Sequence, residues 1–166
     1  MVAGGIGQDS SSPLGQEFLG SRKFGSPARE VKPAKKVTLL YGARTAEYLA
    51  GVENFEASGI DVRIATNDGS RGRQGLVTDL LDEILTEKAY ASRRVVCCGP
   101  EPMMHAASEV ALRHSAPCQV SLETPMACGI GICFTCVAKV KTPEGDWDYK
   151  RTCVEGPVFD AEKIIW

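Results

Sequence analysis

Four cysteines set the tightest constraint on this chain. Cys128, Cys133, Cys136 and Cys153 follow the spacing C-x4-C-x2-C-x16-C, all within 26 residues near the C-terminus. The first three match the plant-type [2Fe-2S] pattern, whose fourth cysteine lies further along. The intervening residues suit that chemistry. An all-thiolate cluster carries net negative charge, and backbone N–H donors stabilise its sulfurs. Gly129 and Gly131 let a loop wrap closely with its N–H groups turned inward, because glycine tolerates positive φ. Ile130, Ile132 and Phe134 would keep water partly away. Structural zinc stays open as an alternative, although zinc on four cysteines usually uses two short C-x2-4-C knuckles. Here one C-x2-C shares a ligand with a C-x4-C. A Rieske centre needs two histidine ligands, and His105 and His114 both fall on an expected helix outside this segment.

Disulfides are disfavoured by the expected compartment. The first residues, Met-Val-Ala-Gly-Gly-Ile-Gly-Gln-Asp, have no basic region and no apolar stretch of signal-peptide length. No run of 18 apolar residues exists, so no membrane span is expected. A cytoplasmic location follows as the expectation, where disulfides are rare. The 166 residues are 43% apolar and 24% charged, a globular composition. The formal net charge of -2 gives no electrostatic case for nucleic acid or an anionic membrane. The two other cysteines weighed, Cys97 and Cys118, read as small buried residues on strands.

Upstream of the cysteines the periodicity is that of an α/β sheet. Val37–Tyr41 is a continuous apolar run, as expected of a strand covered on both faces. Thr45–Phe55 predicts a helix and Ile60–Ala65 a strand. Leu76, Leu80 and Ile84, with Val77, Leu81 and Leu85, predict a helical stripe. Val95–Cys98 predicts a short buried strand, Pro100–His114 a helix, and Cys118–Leu122 a last strand. Met1-Val2-Ala3 is too short for a central strand by this reading. Residues 8–13 read as loop or cap, Leu14–Leu19 as a short helix, and 20–36 as an exposed basic loop. After Glu123 helical periodicity stops, and Val137–Lys141 with Trp147–Arg151 predict a hairpin. The expected fold class is therefore α/β. A Rossmann-like parallel sheet occupies 1–115, N-terminally truncated, and a small C-terminal [2Fe-2S] cysteine-rich β module occupies 116–166. That module has too little apolar surface to stand without a metal staple.

Three turns follow strands at the edge where open α/β sheets collect ligands. Gly4-Gly5-Ile6-Gly7 offers backbone N–H groups to a pyrophosphate at a helix N-terminus, but it lacks the spacing of the G-x-G-x-x-G fingerprint. Cys98-Gly99-Pro100-Glu101-Pro102-Met103 is a strand-to-helix turn. Thr66-Asn67-Asp68-Gly69-Ser70 reads equally as an Asx turn.

Taken together, Cys98-Gly-Pro-Glu-Pro-Met, Tyr41-Gly42-Ala43-Arg44 and Gly4-Gly-Ile-Gly7 resemble the nicotinamide-binding domain of the ferredoxin-NADP reductase superfamily. The stretch Leu122-Glu-Thr-Pro-Met-Ala-Cys-Gly-Ile-Gly-Ile-Cys-Phe-Thr-Cys136, followed by Thr152-Cys153-Val-Glu-Gly-Pro-Val-Phe159, resembles the electron-transfer subunit of class 1B dihydroorotate dehydrogenase. That resemblance implies an FAD barrel, an NAD domain and a [2Fe-2S] module, passing electrons to an FMN-containing catalytic subunit of pyrimidine biosynthesis. It implies Cys128, Cys133, Cys136 and Cys153 as cluster ligands, and Gly4, Gly5 and Gly7 at the pyrophosphate. It places Cys98, Gly99 and Pro100 near the nicotinamide, and Asp68 at an unphosphorylated ribose. A flavin is expected beside Met103, because NADH delivers two electrons together and the cluster takes one at a time. No residue here is assigned to the FAD barrel. Asp9 departs from the family pattern by placing a negative charge near the phosphate position. The competing expectation is a stand-alone ferredoxin-like carrier with a degenerate nucleotide domain.

Overall fold

The computed structural model of the chain describes residues 1–8, 10–87 and 92–166, apart from the side chain of Ile6. Asp9 lies outside the described residues. Among them, seven strands form one sheet: β1 (Val2–Gly4), β2 (Thr38–Ala43), β3 (Asp61–Thr66), β4 (Arg73–Gln74), β5 (Val95–Cys98), β6 (Cys118–Ser121) and, past a hairpin, β9 (Val158–Asp160). The hairpin strands are β7 (Val137–Lys141) and β8 (Trp147–Arg151). The order in the large sheet is β4-β3-β2-β1-β5-β6-β9. Its pairs are parallel except β6 with β9.

Helices cover both faces, as a parallel sheet requires. Alternate residues of β2 divide between them. Leu40 joins Val2, Ala65, Val95, Cys97 and Val120 under α3 (Val77–Thr86) and α4 (Glu101–Arg113). Leu39 and Tyr41 join Ala3, Val52, Phe55 and Ile60 on the other face, with Phe18 and Leu19 of α1 (Ser11–Leu19) packed against them. Val52 and Phe55 belong to α2 (Val52–Ala57). Cys97 and Cys118 are buried, as expected of core residues on strands. Among the described residues no helix is long and apolar enough to cross a membrane.

Several expectations need correction. Met1-Val2-Ala3 is not too short for a central strand, since β1 lies between β2 and β5. Three residues suffice because both neighbours supply hydrogen bonds, and Val2 and Ala3 are fully covered. The first helix starts at Ser11, not Leu14. Pro13 falls in its first turn, where no intrahelical donor is lost. The helix expected over Thr45–Phe55 splits into a 3-10 turn at Ala46–Tyr48 and α2. The buried Tyr41 hydroxyl accepts from the Ala50 N–H (3.1 Å) and donates to the Tyr48 carbonyl (3.4 Å), holding the chain open between the two pieces. β4 and β9 had no expectation at all.

The boundary expected at 115/116 does not coincide with a break in the sheet. β6 continues the parallel series, and β9 returns to pair with it. The Leu122 N–H donates to the Pro157 carbonyl (2.9 Å), closing the base of the excursion between them. The cysteine loop and the β7–β8 hairpin are thus an excursion from the sheet. The hairpin packs Val140 into the core shared with α4, beside Ile164.

Candidate functional site

The strand order reverses between β1 and β5, so the crevice at their carboxyl ends is the topological switch point. The residues expected there meet in space. A Cβ on Gly7 would stand 2.5 Å from the Cys98 carbonyl oxygen, so only glycine lets these two turns close on each other. Gly4 and Gly99 both pack on Met103, and Pro100 lies against Gly4. Gly5 has φ +58° and open space where a side chain would be, leaving its backbone accessible. Two buried polar atoms at this edge, Gln8 Oε1 and Thr45 Oγ1, have no partner among the described residues. They lie beyond the ends of β1 and β2, where a polar ligand would satisfy them.

Burial pushes the Cys98 thiol pKa up, and the nearby Glu123 charge adds to that. The thiol donates to Glu123 Oε1 over 3.8 Å. Ser10 and Ser121 also reach its sulfur. Asp68 stands apart, beyond β3 and two strands from β1, roughly 10 Å along the sheet. Its Oδ1 accepts from the Ser70 N–H (3.0 Å) and hydroxyl (2.6 Å), which hold its pKa down. The Ser70 hydroxyl oxygen accepts in turn from the Ala46 N–H (2.7 Å). Asp68 thus ties the turn after β3 to the one after β2.

The cysteine loop leaves the same edge through Glu123. Gly129 (φ +66°) and Gly131 (φ +81°) adopt the left-handed backbone that an inward-wrapped loop needs. The result is seen at Cys128. Backbone N–H groups of Cys133 and Ile130, the Cys133 thiol and the Ile132 N–H all point at its sulfur, lowering its pKa to about 6. Cys136 Sγ and Cys153 Sγ lie 3.1 Å apart. Their hydrogen-bond contact lowers the pKa of Cys136 and raises that of Cys153. The sulfurs therefore come as two pairs, and among the described residues no three metal-ligating side chains converge on one point. A close pair of thiols is the donor set that one iron of a binuclear centre takes from a protein.

Residues without a sequence expectation complete the loop. Arg151 Nη1 donates to the Gly131 carbonyl (2.6 Å), and its guanidinium sits over the Phe134 ring at 5.5 Å. The Thr152 N–H and hydroxyl both donate to the Cys136 carbonyl (2.7 and 3.2 Å). Only the adjacency of Thr152 to Cys153 hints at this in the sequence. Around the rim Met126, Ile130, Ile132 and Phe134 are exposed, the last three to 71–73%.

Residues 123–165 match the family described as the iron-sulfur cluster binding domain of dihydroorotate dehydrogenase B. The chain is 42% identical over 139 residues to the dihydroorotate dehydrogenase B (NAD(+)) electron transfer subunit of Caldanaerobacter subterraneus subsp. tengcongensis, covering 84% of this chain and 53% of that one. It is 41% identical over 131 residues to a homolog of that subunit in Aquifex aeolicus, covering 79% and 48%. The solved NADH-dependent reduced ferredoxin-NADP oxidoreductase superposes with a TM-score of 0.74 at 29% identity, covering 99% of this chain and 52% of that one. The chain spans about half the length of the curated relatives it matches. By descent it is a homologue of the dihydroorotate dehydrogenase B electron transfer subunits, and its residues 123–165 belong to the iron–sulfur cluster binding domain of that family.

Proposed function

We propose that this chain relays electrons between NAD(H), a flavin and a [2Fe-2S] centre, and passes them to an FMN-containing dihydroorotate dehydrogenase catalytic subunit of pyrimidine biosynthesis. One observation carries the reading. The turn at the switch point and the loop holding the paired cysteines adjoin through the Cys98–Glu123 contact. A nucleotide at the first and a metal centre at the second would be neighbours.

When bound, the nicotinamide and a flavin (FAD in this family) supply two-electron chemistry, and the cluster supplies one-electron storage. The chain's residues supply the setting. Cys128 with Cys133, and Cys136 with Cys153, would each hold one iron. The N–H groups of the turn over Gly4, Gly5 and Gly7 would face the pyrophosphate ahead of α1. Gln8 and Thr45 would find their missing partners on the nucleotide, and Asp68 would accept from an unphosphorylated ribose. Gly99 and Pro100 would border the nicotinamide, beside a Cys98 thiol that burial keeps protonated and neutral.

Anaerobically purified protein is expected to contain iron and acid-labile sulfide in equal amounts. Cys133→Ser is expected to lose both. Stoichiometric zinc without labile sulfide overturns the reading.

A further inference from the structure

Glu123 brings a carboxylate to the switch-point crevice. Cys98 ends β5 and pairs in register with Ser121 of β6. Glu123 follows two residues beyond Ser121, and its Oε1 accepts from the Cys98 thiol over 3.8 Å. The backbone is held on both sides of it. The Leu122 N–H donates to the Pro157 carbonyl, and the Thr124 hydroxyl meets that of Thr152. Among the described residues Oε2 has no hydrogen-bond partner, and no lysine, arginine or histidine pairs with the carboxylate. This end of the crevice therefore presents an uncompensated negative charge beside a thiol that burial keeps neutral. Asp68 and Glu123 stand on opposite sides of β1, one after β3 and one after β6, each two strands away. Four strand spacings separate them by roughly 20 Å along the sheet, with the turn over Gly4–Gly7 midway. A dinucleotide lying across a switch point puts one nucleoside on each side of it. With the ribose at Asp68, the nicotinamide falls on the Glu123 side.

We propose that Glu123 sets the balance between the two oxidation states of the bound nucleotide: its carboxylate faces the nicotinamide and holds NAD+ more firmly, relative to NADH, than a neutral residue would. The proposal deepens the reading above and rests on its assignment of the nucleotide site. The charge of the ring is what the carboxylate senses. When NADH gives up a hydride, its neutral dihydropyridine ring becomes a pyridinium cation. A fixed negative charge in a partly desolvated crevice attracts the cation and has no comparable hold on the neutral ring. Firmer relative binding of the oxidised form lowers the reduction potential of the bound couple. NADH held here is therefore a stronger hydride donor than it would be without the charge. Glu123 is also where the match to the cluster-binding domain begins, so the charge stands where the nucleotide edge passes into the cysteine loop.

The test uses the full chain and measures the dissociation constants of NAD+ and of NADH by isothermal titration calorimetry. Glu123→Gln keeps the side-chain shape and removes the charge. It is expected to raise the ratio of the NAD+ constant to the NADH constant by about fivefold. Glu123→Ala is expected to raise the ratio likewise, and it serves if the glutamine variant does not fold. Glu123→Asp keeps the charge and is expected to keep the ratio close to the parent's. Asp68→Asn, at the opposite end of the crevice, is expected to weaken both nucleotides by the same factor. A parent that binds both nucleotides, with the ratio unchanged in the neutral variants, overturns this proposal alone. A ratio that moves as far in Glu123→Asp as in Glu123→Gln also overturns it alone, because shape and not charge is then at work. A parent that binds neither nucleotide overturns it together with the reading on which it rests.

Discussion

Gly7 shows how much one residue decides at the nucleotide edge. Its missing side chain is the space in which the turn after β1 meets the Cys98 carbonyl. Gly7→Ala places a methyl 2.5 Å from a backbone oxygen that no rotamer change relieves. It is expected to lower the stability of the chain by about 1–3 kcal/mol, read from the urea midpoint. NADH binding, followed by nicotinamide fluorescence, is expected to weaken with it. The candidate cysteines stood out in the sequence because three of them lie within nine residues, so the spacing itself suggests a shared site. The same holds for Gly129 and Gly131, whose left-handed backbone the loop requires. Thr152 was not legible. Its significance depends on Thr124, 28 positions away, and on which carbonyl it meets.

Between elements, α3 and α4 are joined at the surface by Asp82, which accepts from His114 (3.0 Å) and Arg113 (3.3 Å). His114 and then Arg113 hold the pKa of Asp82 below its ordinary value. A carboxylate depressed by folding contributes stability above its unfolded pKa of about 3.9, and loses that contribution as pH falls through the lower folded value. Asp82→Asn is expected to lower the melting temperature at neutral pH. The difference from the parent is expected to close on acidification below about pH 4. Differential scanning calorimetry across that range checks it. Most strands and helices were legible from periodicity. The exceptions share a cause, which is that distant contacts set them. β1 is a strand because β2 and β5 flank it. The helix over Thr45–Phe55 breaks because Tyr41, from another element, takes the backbone groups between its halves. β9 exists because β6 offers it an edge.

For the whole molecule, the exposed rim of Met126, Ile130, Ile132 and Phe134 lies on the excursion that carries the paired thiols. Exposed apolar side chains beside a redox centre suit a partner that must approach closely. Phe134→Glu and Ile132→Glu are expected to retain the cluster while weakening assembly with a co-expressed dihydroorotate dehydrogenase catalytic subunit, read by size-exclusion chromatography. Unimpaired assembly in both places the docking surface elsewhere. The excursion itself leaves β6 at Leu122 and rejoins at Pro157, two residues already hydrogen-bonded to each other. The two ends of the redox loop are thus clasped to the same pair of strands, so the sheet's own ladder fixes where that loop stands.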